Sequence, residues 1–230
     1  MRAPFPRSVL YCLSLAAASV SPVLGQTPSF TFDGFVDSTL LSAQYPGATF
    51  GNAIILGSGF TLNEFEFPPH SGSNVASDNG GPMTILFSSR PRGFTGYFTY
   101  GVPLTLQALD SSNHVVASAT SAFSNNEALS GVSGSHPSEL LKVSSGSGIA
   151  KIVIAGSAQG ASFALDDATI FSRCDLNQDG LITVTDTQFI LNEALGTTTA
   201  VDDLNGDGAV NVVDVQIVIN AVLALGCAAS

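Results

Sequence analysis

The chain has 230 residues, 45% apolar and 11% charged, with a net charge of −11 and no tryptophan. That length holds two modest domains and that apolar content builds a core, whereas seven Lys and Arg against eighteen acids leave no basic patch for phosphates and exclude nucleic acid as a partner. Beyond the N-terminal run, no segment is long and apolar enough to span a bilayer.

Residues 1–25 carry the pattern of a secretion signal. Arg2 and Arg7 give a short basic start, VLYCLSLAAASVSPVLG supplies the apolar run, and Val23 with Gly25 gives small-residue spacing for cleavage before Gln26. The expected protein is secreted, extracellular or associated with the cell surface. Cleavage takes the net charge from −11 to −13 and leaves Cys174 and Cys227 as its cysteines. In an exported chain such a pair suggests a disulfide rather than two free thiols. Closing a loop of that size contributes roughly 4 kcal/mol by the chain-entropy estimate.

From residue 26 to residue 173 the sequence predicts ten strands, separated by Gly, Ser, Asn and Pro clusters. They are FTFDGF, ATFGNAIIL, LNEFEF, PMTILFSS, GFTGYFTY, PLTLQAL, HVVASATSAF, LLKVSS, AKIVIAG and SFALDDATIF, with a hairpin turn at Asp110 to Asn113. No helical period interrupts them. The expected fold is mainly β, an antiparallel β-sandwich of jelly-roll type over 26–173, followed by a small helical domain at 174–230. The end strands FTFDG and FALDDATIF resemble the two ends of secreted bacterial jelly-roll domains, some related to carbohydrate-binding modules. Asp33, Asp166 and Asp167 read as solvated strand ends, the alternative being a calcium site where the terminal strands meet.

Catalysis finds little support in this segment. On a strand, Glu64 and Glu66 share a face, and a carboxylate pair is what glycoside hydrolysis uses. Jelly-roll glycosidases with carboxylates along one strand place a third acid where this chain has Phe67, Pro68 and Pro69, so a surface reading is simpler. His70, His114 and His136 lack metal spacing, and no Ser-His-Asp order appears. Sugar binding uses exposed aromatic platforms. Of Tyr97, Phe98 and Tyr100, one parity is expected to fill the core and the other to face out. Residues 68–82 and 124–138 are polar loops, either flexible or the rim of a ligand site.

The last quarter of the chain is more specific. DLNQDGLITVTD (Asp175 to Asp186) and DLNGDGAVNVVD (Asp203 to Asp214) repeat in register, 28 residues apart. Oxygen side chains fall at positions one, three and five: Asp175, Asn177 and Asp179, then Asp203, Asn205 and Asp207. Gly180 and Gly208 follow at position six, where a calcium loop needs a sharp turn. Leu181 and Ala209 at position seven offer backbone carbonyls, Thr183 and Asn211 stand at position nine, and Asp186 and Asp214 close the shell at position twelve. Ile182 and Val210, apolar in both loops, are expected to pack together. Each loop leads into a helix, DTQFILNEAL before Gly196 and DVQIVINAVLAL before Gly226. Neither has an incoming helix, since ATIFSRC reads as a strand and GTTTAVD as irregular. From Cys174 onward there are eight acids and no Lys or Arg, a self-repulsive composition that ties folding to cations.

Two loop-helix units in tandem without incoming helices are the organisation of dockerin modules, and residues 174–230 resemble a type I dockerin. The resemblance implies a helical module that folds around two calcium ions and docks onto a cohesin domain of a scaffold or cell surface. Contacts are implied at Val184, Thr185, Leu191 and Asn192, and at Val212, Val213, Ile219 and Asn220. Many cellulosomal dockerins carry Ser-Thr at the first pair and a basic pair at the second. This chain has neither, and its candidate face is apolar. The expectation is a secreted, non-catalytic protein whose tail mediates attachment and displays the sandwich. The alternative is a polysaccharide-degrading component of an extracellular complex, a glycoside hydrolase or a carbohydrate-binding module.

Overall fold

A computed structural model describes residues 29–228, so the expected secretion signal lies outside the described residues. Twelve strands come first: β1 (Ser29–Phe30), β2 (Leu40–Leu41), β3 (Ala48–Gly51), β4 (Ala53–Gly57), β5 (Asn74–Asn79), β6 (Met83–Phe87), β7 (Gly93–Tyr100), β8 (Thr105–Leu109), β9 (Val115–Thr120), β10 (Glu139–Ser144), β11 (Lys151–Ala155) and β12 (Gly160–Phe171). Two helices follow, α1 (Val184–Ala194) and α2 (Val212–Val222). One sheet runs β10-β7-β12-β5-β4-β2 with β1 also paired to β12, and the other runs β3-β6-β11-β8-β9. Every ladder between these strands is antiparallel. The chain is thus mostly β, with two C-terminal helices, as its patterning predicts.

Alternation builds the core. On β7, Phe94, Phe98 and Tyr100 point between the sheets and are fully buried, facing Ile85 and Ile152 from the other sheet within the same apolar cluster. Each such side chain contributes about 1.5–3 kcal/mol by leaving water. Burial raises the Tyr100 hydroxyl to about 12, and it bonds Glu139. Asn126, also fully buried, donates to the carbonyls of Phe98 and His136 and accepts from the Tyr100 amide. Part of the 124–138 stretch is therefore pinned to β7.

Three expectations about strands need correction. ATFGNAIIL is two strands in different sheets, because Asn52 adopts a left-handed φ of 53° between them. LNEFEF is a turn, with the amides of Glu66 and Phe67 both donating to the Asn63 carbonyl. Leu62 and Phe67, five residues apart, pack on Val75 and Ala164 across the outer face of the larger sheet, so period two is not in force there. Conversely, β5 lies inside the expected polar loop 68–82. Two of its buried polar side chains are bonded: Asp78 accepts from the Ser162 and Phe163 amides at 2.7 and 3.1 Å, where β12 is irregular, and Asn74 donates to the Phe35 carbonyl at 2.8 Å.

The tail forms its own small cluster of Cys174, Leu176, Ile190, Leu204, Val215, Ile217 and Val218, on which Ile182 and Val210 both pack. Cys174 and Cys227 form a disulfide with Cα atoms 5.9 Å apart. Both helices begin with a capping box, Thr183 with Asp186 and Asn211 with Asp214. Both end in a left-handed residue at the same place in the repeat, Gly196 at φ 70° and Ala224 at φ 62°. The amides of Thr197 and Leu225 then reach back to the carbonyls of Asn192 and Asn220. Helix α2 therefore stops earlier than the expected Gly226, on an alanine that tolerates the left-handed position poorly.

Candidate functional site

The two acidic loops fold alike. In the first, Asp186 Oδ1 accepts the amides of Leu176 and Asn177 at 2.7 and 3.2 Å while Oδ2 accepts that of Thr183 at 2.8 Å. In the second, Asp214 Oδ1 accepts from Leu204 and Asn205 at 2.8 and 3.2 Å, and Oδ2 from Asn211 at 2.9 Å. The acid at position twelve thus ties each loop's start to its end. At position one, Asp175 accepts the amides of Asp179 and Gly180, and Asp203 those of Asp207 and Gly208. Asn177 donates to Asp179, and Asn205 to Asp207. Gly180 and Gly208 take φ of 91° and 93°, which their missing Cβ permits.

The donor set suits a hard cation. Side-chain oxygens of Asp and Asn, with no nitrogen or sulfur donor among them, match what calcium takes. Each ionised carboxylate has about four lone-pair sites, so the amide bonds above leave some free. Negative charge is concentrated: Asp175, Asp186 and Asp214 are fully buried. Burial first, then the charges of Asp186 and Asp179, push the Asp175 carboxyl upward against the Gly180 amide, a conflict that a cation relieves. Among the described residues no three His, Cys, Asp or Glu side chains already converge as a metal cluster, because the carboxylates are turned onto backbone amides. Position nine is also engaged in both loops, and position seven in the second. Thr183 and Asn211 oxygens cap the helices, and the Ala209 carbonyl accepts from Asn211.

Residues 173–223 match the dockerin type I domain.

No curated protein matches the chain. Among solved structures the chain is similar to the K2 cleaved adhesin domain of Lys-gingipain, at 14% identity and TM-score 0.41, covering 63% of this chain and 98% of that one. It is also similar to the C-terminal family 22 carbohydrate-binding module of Clostridium thermocellum Xyn10B, at 14% identity and TM-score 0.36, covering 66% and 98%. A third is the MgGH51 α-L-arabinofuranosidase, at 10% identity and TM-score 0.41, where 64% of this chain covers 26% of that one.

On the dockerin, the expected contact residues divide. Val184 and Val212 are 74% and 76% exposed, and Thr185, Val213 and Leu191 also face solvent. Ile219 packs against the small core, while Asn192 and Asn220 are half-buried and each accepts from a glutamine one turn earlier, Gln188 and Gln216. Phe189, Leu195 and Leu223, outside the expected contact set, are exposed as well. The available signal was apolar residues all round each helix, more than one core face can bury.

In the sandwich, Glu64, Glu66, His114 and His136 lie apart, whereas Asp33, Asp166, Asp167, His70 and Tyr97 meet around residues 70–74. Glu64 and Glu66 sit on the turn, where Glu66 accepts from Asn63. Phe98 and Tyr100 fill the core, and Tyr97 on the opposite face is covered by the His70 ring, stacked at 3.5 Å. The acids read as solvated strand ends instead hold the 70–74 segment. Asp33 accepts from the Ser73 and Asn74 amides, Asp166 from the Ser71 amide, and Asp167 bonds His70 and the Ser71 hydroxyl. Asp166 is 3% exposed, and burial raises its carboxyl to about 6. His114 lies beside Asp110 in its hairpin, and His136 meets the Pro137 carbonyl.

Proposed function

We propose that the dockerin binds two calcium ions, one per loop, and attaches the β-sandwich to a cohesin-like domain outside the cell. The ligands in this reading are Asp175, Asn177, Asp179, Asp186 and the Leu181 carbonyl in the first loop, with Thr183 at position nine. Their equivalents are Asp203, Asn205, Asp207, Asp214, the Ala209 carbonyl and Asn211. Bound calcium supplies the positive charge that lets these carboxylates sit together. The chain's own part is to hold Asp186 and Asp214 at once in the loop and in the capping box, so that metal binding and the start of each helix are one event. The observation that carries the reading is the repetition of one carboxylate-to-amide pattern at 28-residue spacing. An export setting agrees with the disulfide between Cys174 and Cys227. Residues 26–173 and 174–230 form the two domains of this reading.

The docking face is the exposed pair Val184 and Thr185 with its equivalent Val212 and Val213, extended along the helices by Leu191 and by Phe189, Leu195 and Leu223. Such a face fits a receptor with an apolar centre. The test is binding of the calcium-loaded full chain to recombinant type I cohesin domains. Binding that is lost with EDTA and in the Val184→Asp, Val212→Asp double variant supports the proposal; failure of calcium-loaded wild type to bind any of them overturns the docking half.

A further inference from the structure

Six of the dockerin's eight acids belong to the loops. The other two, Glu193 and Asp202, are buried at 8% and 2% exposure, and Glu193 accepts the amides of both Val201 and Asp202 at 2.9 Å. Two buried carboxylates side by side are costly without a cation, and the dockerin has no Lys or Arg from Cys174 onward. The cation comes from the sandwich. Arg92 Nη1 donates to Asp202 Oδ1. Arg92 is itself fixed, because its amide donates to the Phe171 carbonyl and its carbonyl accepts from Ser145, each at 2.8 Å.

The surroundings of this pair are a close-fitting seam. Any side chain at Gly146 would collide with the Val201 carbonyl, and one at Gly93 would press on the Gln178 amide oxygen. Arg173 reaches the Asp203 carbonyl at 3.5 Å. Arg92 and Arg173 are two of the five Lys and Arg that remain beyond residue 25, and both meet residues of the tail. In so acidic a chain, their gathering where the tail meets the sandwich is a specific arrangement.

We propose that Arg92 is a counter-ion supplied by the sandwich to the dockerin, which offsets one of the two charges of the buried Glu193 and Asp202 pair and locks the two domains into one rigid body. The docking face is then carried in a fixed orientation to the sandwich instead of on a free linker. The clamp involves no loop ligand and does not rest on the calcium reading.

Amide hydrogen exchange of the full chain tests it, measured in calcium chloride and again in EDTA so that failed calcium binding is not mistaken for a failed clamp. Arg92→Ala should speed exchange at Val201 and Asp202 by about tenfold or more, with β7 and β11 unchanged. In an Asp202→Asn background the same change should have a much smaller effect. Unchanged exchange at Val201 and Asp202, or effects of the two substitutions that simply add, overturns the proposal. Should Arg92→Ala fail to fold, Arg92→Met keeps the stem without the charge; the same acceleration is expected, and wild-type rates overturn the idea. Small-angle scattering should show a larger maximum dimension for the folded variant, and an unchanged one contradicts the rigid body.

Discussion

The sandwich and the dockerin solve the same problem with different means. Residues 30–170 close on a broad apolar cluster between two sheets, with Phe94, Phe98, Tyr100, Ile85 and Ile152 near its centre. The tail has seven buried residues in its cluster, one of them a cysteine, and leaves Val184, Leu195, Val212 and Leu223 in solvent. A module that small gains too little from burial to offset its chain entropy. Its order is therefore assigned to a disulfide, to charge neutralisation in two loops, and to an arginine from the neighbouring domain. The difference teaches that the two parts should respond to different perturbations.

The sharpest ways to break this contrast are substitutions that should act mainly on one part. Phe98→Ala empties the centre of the sandwich core and should cost about 3–5 kcal/mol, read as a lower midpoint of the β-sheet transition in denaturant, with the helical signal shifting less because the tail loses only its Arg92 contact when the sandwich opens. Cys227→Ser opens the loop of sequence separation 53 and should cost the tail about 4 kcal/mol, read by proteolysis between α1 and α2 with the sandwich intact. If either variant lowers both transitions equally, the two parts are not held separately.

A smaller effect concerns the sandwich's polar side. Asp166 has its folded carboxyl raised to about 6, chiefly by burial. A raised acid favours its protonated form in the folded state. Its contribution is therefore present below about pH 4 and lost as the pH rises through about 6. Asp166→Asn should then gain about 1–2 kcal/mol over wild type at pH 7, with solvent screening discounted, and little at pH 4, measured by chemical denaturation. A gain independent of pH would contradict burial as the cause. The smallest effect is in the tail: Ala224→Gly relieves a φ of 62° and should stabilise it by about 1 kcal/mol, read as a higher melting temperature of the helical signal.

The same contrast explains what was legible in the sequence. The two loops could be read as a repeat, because the motif fixes side-chain types at fixed spacings, and the fold repeats the same bonds, Asp186 and Asp214 each accepting the amides at their loop's start. The helices could be placed to within a few residues, although Ala224 in a glycine's position hid the end of α2. In the sandwich, β7, β8 and β11 show as alternating apolar runs. Strand β5 did not, because NVASDN is buried through hydrogen bonds such as Asp78 to the Ser162 amide, which leave no apolar signature. The turn at LNEFEF looked like a strand because Leu62 and Phe67 cover an outer sheet face at irregular spacing. The seam was invisible for a further reason: Arg92 and Asp202 stand 110 residues apart, and no local pattern joins them.

Calorimetric titration of the full chain with calcium, after EDTA treatment, tests the central claim most directly. Two ions should bind per chain, tighter than about millimolar, and Asp186→Ala or Asp214→Ala should each reduce that number to one. Absence of binding heat up to about millimolar calcium, together with no gain in thermal stability of the helical signal, would contradict the account.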